Sequence, residues 1–138
     1  LTKLILRESI IMNTMKGTHY SMVNVGALGN FTGKTFVKEM LNTTGMEVSL
    51  GSLGVGESVP FFHHHKENEE VYIVLSGKGE FTIDGDKIAV ESGSVIRIAP
   101  VASRCTHNTG NEPLIYICIQ AKEGSLGGYT VTDGVIEE

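Results

Sequence analysis

The stretch Phe62-His63-His64-His65-Lys66-Glu67-Asn68-Glu69-Glu70 gathers the side chains of this sequence best suited to chemistry. In an extended segment, side chains two apart share a face, so His63 and His65 point together while His64 points away. Two neutral imidazoles on one rigid face suit a borderline divalent metal, and a nearby carboxylate completes a facial triad with open positions. Glu70 opens the β-rich run Glu70-Val71-Tyr72-Ile73-Val74-Leu75, and Lys66 to Glu69 can turn the chain back onto it. Glu69 has the opposite parity and is expected to face outward if Glu70 faces in. The bland reading of the same residues is a polar surface loop of solvated histidines.

Those side chains need a frame, and strand signals supply it. Met46 to Leu50 alternates apolar and polar residues. Val71 to Leu75, Phe81 to Ile83, Lys87 to Val90, Val95 to Ile98, Leu114 to Ile119 and Tyr129 to Val131 continue the series. Asp84-Gly85-Asp86 between two such runs is a hairpin turn signal. Further turn signals sit at Ser76 to Gly79, Glu91 to Gly93 and Asn108 to Asn111. Thr35 to Leu41 fits a short helix, although Thr35-Phe36-Val37 fits a strand equally well. Many short strands at close spacing predict an all-β sandwich or closed barrel, and pattern alone does not choose between them.

Length and composition limit the functions open to the chain. Its 138 residues make one domain, and a hydrophobic share of 41% supports a core without staples. The formal net charge of -5 comes with no basic cluster, which argues against a nucleic-acid partner. The longest apolar runs are too short for a bilayer, so no membrane partner is expected. The segment LTKLILRESIIM is interrupted by Lys3, Arg7 and Glu8 and does not read as a signal peptide. The first residue is leucine, and Met12 or Met15 would serve as a natural start. Cys105 and Cys118 make no disulfide framework, so a reducing, cytoplasmic setting is expected.

Gly56, His63, His65, Glu70 and Gly77, with the wording Glu69-Glu70-Val71-Tyr72-Ile73-Val74-Leu75-Ser76-Gly77-Lys78-Gly79, resemble the first cupin motif. The gap from Gly56 to His63 is one residue longer than usual. Gly93 and the stretch Asn108-Thr109-Gly110-Asn111-Glu112-Pro113-Leu114 resemble the second motif, with Ala99 where the family usually has proline and Val101 where it usually has glycine. The resemblance spans about residues 45 to 120. It implies a double-stranded β-helix, or jelly-roll barrel, with the site inside the mouth. Residues 1–30 then read as an N-terminal extension and 31–138 as a single cupin domain.

The departure from the family pattern is Arg104, which stands where the second motif normally supplies a third metal-binding histidine. Arginine cannot ligate a metal. It can fork onto an acidic ligand, or it can pair with Glu70. If Arg104 faces inward, Thr106 and Asn108 share its side, while Cys105 and His107 face out; a one-residue bulge would make His107 an alternative ligand. Tyr72 shares Glu70's parity and reads either as a substrate-binding residue or as a core tyrosine with a satisfied hydroxyl. Cys118 reads as a small core residue, and His19 and His64 as surface residues.

The expected metal set is His63, His65 and Glu70, holding Fe, Mn, Ni or Zn. Arg104 and Tyr72 are the substrate-binding candidates, in an apolar barrel lined also by Phe61, Val74 and Ile96. The partner expected is a small anionic molecule. One reading is a metal-dependent oxygenase, isomerase or decarboxylase. The other is a non-catalytic binder or sensor, metal-free with an Arg104–Glu70 ion pair. A homodimer is expected, with Val23 to Val25 adding a strand to a neighbouring subunit's sheet.

Overall fold

Alternation of side chains builds the frame, and the computed structural model describes it for residues 14–138. The segment LTKLILRESIIM, with Met12, lies outside the described residues. A small hairpin, β1 (Thr14–Lys16) and β2 (Ser21–Val23), precedes the barrel. Five strands form the larger sheet: β3 (Lys34–Phe36), β4 (Glu47–Leu53), β5 (Asn68–Ser76), β8 (Val95–Ile98) and β10 (Leu114–Lys122). Their order is β3-β4-β10-β5-β8, antiparallel throughout, so the last strand of the chain is the central one. The smaller sheet has the order β7-β6-β9, from β6 (Lys78–Ile83), β7 (Asp86–Glu91) and β9 (Arg104–Asn108). Residues 57–65 run beside β9 through backbone bonds from Val59 to Thr106 and between His63 and Arg104. Together the layers form the double-stranded β-helix expected from the cupin resemblance.

Asp84 and Gly85 both have positive φ, 48° and 88°, as a two-residue type I′ hairpin turn requires, and they join β6 to β7. Gly77 also has positive φ, and a side chain there would collide with Pro113 O and Leu114 Cα. Asn108 gathers the end of the barrel: its amide donates to the carbonyls of Leu53, Gly54 and Glu112, and its Oδ1 accepts from Gly110 N–H. The asparagine and glycine of the two motifs are therefore fold determinants.

The larger sheet is buried on both faces. Inward, Tyr72, Val74, Leu114, Tyr116 and Cys118 meet Phe81 and Val90 of the smaller sheet. Outward, Leu50, Ile115, Ile117 and Val48 meet Phe31, Val37 and Met40. Val23 and Val25 pack on this second cluster. Within the chain the pair covers its own sheet, because an apolar outer face needs a second layer. The covering layer thus begins before residue 31.

Residues 35–41 satisfy both readings in sequence, as β3 followed by α1 (Lys38–Leu41), which ends at Asn42 in the left-handed region with φ 56°. The strand expected at Tyr129 to Val131 is instead a helical turn, α2 (Thr130–Asp133). It pairs with no strand, and Thr132 Oγ1 accepts the Tyr129 N–H at 3.1 Å.

Phe31→Ala removes a ring from the outer cluster and should cost about 3–5 kcal/mol in a urea titration. Gly77→Ala should also lower the midpoint, because it combines backbone strain with a clash.

Candidate metal centre

Strand pairing brings the candidate ligands together. His63 and Arg104 exchange two backbone hydrogen bonds, at 3.1 and 3.0 Å, and His65 N–H donates to Pro100 O at 2.9 Å. These bonds hold residues 63–65 extended along the barrel wall, so His63 and His65 turn inward and His64 is exposed. Glu70 enters from the opposite sheet at the start of β5, paired with Ile98 and Gln120. Glu69 faces outward and forms an ion pair with Arg97 at 2.9 Å. One ligand atom from each of His63, His65 and Glu70 lies within 4.8 Å of the others.

Glu70 is the hub. Its Oε1 accepts from Arg104 Nη1 at 2.9 Å and from the Tyr72 hydroxyl at 3.3 Å. Its Oε2 accepts from the Cys118 thiol at 3.2 Å and lies 3.3 Å from His65 Nε2. His63 Nε2 is 3.9 Å from Oε1. The Arg104 side chain is 0% exposed and that of Glu70 3%, so this ion pair is cut off from water. Arg104 Nη2 also donates to Ala99 O. The guanidinium takes one carboxylate oxygen and leaves the other turned toward the histidines.

The donor set fits a divalent ion. Nitrogen and oxygen ligands at about 2.0–2.2 Å from a metal stand about 3–3.6 Å apart; the His65–Glu70 separation of 3.3 Å falls in that range, and the His63–Glu70 separation of 3.9 Å is wider. His65 Nε2 is buried without a hydrogen-bond partner, and so is His63 Nδ1. Burial lowers the pKa of His63 below its ordinary value, with Glu70 acting in the opposite sense. That keeps the imidazole in the neutral form a metal requires.

The site opens into a cavity of about 630 Å³ lined by His63, His65, Glu70, Phe61, Tyr116 and Cys118 among others. Phe61 stands at it, 57% exposed. Tyr72 does not line it: its ring packs between Phe81 and Tyr116, at centroid distances of 4.9 and 5.7 Å. Val74 and Ile96, expected in the lining, belong to the core. Arg104 is likewise turned to Glu70 and away from the cavity walls. His107 is not brought to the cluster. It faces outward with Nδ1 2.6 Å from Ser58 Oγ, as unbroken alternation along β9 requires.

Two contributors were not foreseen. Cys118 is core-buried as expected, yet its thiol holds Glu70, and burial first pushes its pKa up to about 12. Lys34 lines the cavity from β3. The sequence signal for both is parity: Lys34 and Phe36 share one face, as do Tyr116, Cys118 and Gln120.

Comparisons with known proteins agree with this fold. The family model described as "Cupin domain" matches residues 49–120. A crystal structure of a cupin protein from Bacteroides fragilis is 44% identical, with a TM-score of 0.81, over 90% of this chain and 100% of that one. An uncharacterized protein of Methanocaldococcus jannaschii is 34% identical over 61% of this chain and 70% of its own length. The glucose-6-phosphate isomerase of Pyrococcus horikoshii is 40% identical over 42% of this chain, which spans only 33% of that enzyme. No described helix is long and apolar enough to cross a membrane.

Arg104→Ala leaves a buried carboxylate without its cation and should destabilise the fold by about 3–5 kcal/mol in chemical denaturation. Adding Glu70→Gln should cost less than the sum of the two single changes. In metal-free protein, the unfolded chain protonates His63 near pH 6.5 while the fold resists the proton. Stability should therefore fall as pH drops below about 6.5 and be regained above it. Urea midpoints for wild type and His63→Asn should diverge in this sense. With a two-motif barrel, a matched family model and a near full-length structural relative, the chain belongs to the cupin family.

Proposed function

We propose that this protein binds a divalent metal through His63, His65 and Glu70 and holds a small anionic molecule beside it in the cavity. The carrying observation is His65 Nε2, buried without a hydrogen-bond partner and 3.3 Å from Glu70 Oε2, the oxygen that Arg104 does not bind. Charge supports the anionic ligand. Arg104 already balances Glu70, so a dication would add uncompensated positive charge to a secluded space. An anion offsets it.

The residues divide the work. The imidazoles and Glu70 Oε2 would hold the ion. Arg104, Tyr72 and Cys118 fix the rotamer of Glu70, and the apolar walls limit water. Bound there, an Fe, Mn, Ni or Zn ion would supply Lewis acidity for a carbonyl or enediol substrate. The likeness to glucose-6-phosphate isomerases supports an isomerase among the possible activities, over the 63 residues it covers. A second reading, a metal-free binder, is favoured by one feature: the Arg104–Glu70 pair balances its own charge without an ion.

Elemental analysis of untagged protein grown with Fe, Mn, Ni and Zn separates the two. Near-stoichiometric metal supports the first reading, and its absence leaves the second. His63→Ala with His65→Ala should abolish loading, whereas His64→Ala should not change it. Arg104→His frees Glu70 Oε1 and adds an imidazole, so metal affinity measured by chelator competition should rise by about tenfold or more.

A further inference from the structure

Among the described residues, Lys34 is the only lysine or arginine lining the cavity. Its placement is specific. Lys34 pairs with Gly51, and Gly51 pairs with Tyr116, so the three form a row across β3, β4 and β10. A Cβ at Gly51 would stand 2.7 Å from the Tyr116 ring, so only glycine leaves that ring its place. Lys34 Nζ lies 5.5 Å from the Tyr116 ring centroid and 5.2 Å from that of Phe36. Among the described residues, no carboxylate stands within ion-pairing distance of it; the ion pairs involve other cations. Burial lowers its pKa, partly offset by the acidic groups Cys118, Glu70 and Glu47. Aromatic faces replace only part of the hydration an ammonium loses.

We propose that Lys34 is the anion-recognition group of the cavity and selects small monocarboxylates that carry an apolar body. This deepens the functional reading above and rests on it. The charge count sets the class. Of the two carboxylates in the lining, Glu70 is balanced by Arg104, and Glu57 caps the Gly54 N–H at 2.6 Å. Glu57 keeps its charge, because the N–H it accepts from is neutral; apart from any metal, the lining therefore offers the ligand one ammonium and sets a carboxylate against a second negative charge on it. Phe36, Leu53, Phe61 and Tyr116 offer the surface for the apolar body.

The test uses 4-fluorobenzoate, its neutral analogue 4-fluorobenzamide and 4-fluorophenyl phosphate, titrated into the full chain and followed by fluorine NMR. Metal content is matched between wild type and the Lys34 variants. Wild type should bind the acid about tenfold more tightly than the amide. Lys34→Gln should reduce acid binding to the level of the amide and leave the amide unchanged, while Lys34→Arg should hold the acid within a few-fold. Lys34→Met keeps the stem and serves as the second variant should Lys34→Gln fail to fold. Acid binding that survives both neutral variants but is lost in His63→Ala/His65→Ala overturns the role of Lys34 and leaves the functional reading standing. Tighter binding of the phosphate than of the benzoate overturns the monocarboxylate class. Failure of all three probes to bind wild type overturns both the inference and the cavity as a site for small anions.

Discussion

A carboxylate and a guanidinium buried inside a barrel must balance each other's charge, and here they come from opposite sheets. Glu70 belongs to the five-stranded layer and Arg104 to the three-stranded one, joined at 2.9 Å with almost no solvent access. Neither charge has water to fall back on, so each dictates where the other must be. The pair fixes the spacing of the two sheets at the histidine end of the cavity, as Tyr72 and Phe81 do in the core. The histidines depend on the same tie. His63 is bonded through its backbone to Arg104, so the residue that holds Glu70 also sets the strand that presents the imidazoles.

This arrangement gives Glu70 an asymmetric role. One oxygen is bound by Arg104 and Tyr72. The other is shared between Cys118 and the space in front of His65. A histidine in place of Arg104 would leave Glu70 free to bind metal with both oxygens. The arginine exchanges ligand strength for a carboxylate whose direction is fixed from behind.

Much of the site was legible because strand parity is local. His63 and His65 share a face, Glu70 and Glu69 do not, and Asn108 anchors the inward face of Arg104; each inference needs only a count of residues along one strand. What escaped depends on register between distant strands. Cys118 meets Glu70 because β10 lies beside β5 with Cys118 opposite Tyr72, and nothing within residues 114–122 states that pairing. The same holds for Lys34, whose neighbours are set by β4 and β10. The covering layer has its signal in the sequence: Val71 to Leu75 and Leu114 to Ile119 are almost continuously apolar, which marks strands buried on both faces. The strand expected at Tyr129 to Val131 had the right composition but pairs with no neighbour, and short β-branched runs take their state from what lies beside them.

The strand order has a consequence for how the chain is made. β4 and β5 flank β10 in the finished sheet, yet β10 comes roughly forty residues after β5 in the chain. During synthesis, the two halves of the larger sheet emerge with a gap between them and unpaired edges on both sides of it. The ladder that joins them forms only when residues 114–122 have left the ribosome. Until then, Glu70 lacks the thiol that will hold its second oxygen, and two apolar edges remain open to other chains. Lys78 and Glu47, the charged first residues of β6 and β4, oppose such association in that interval.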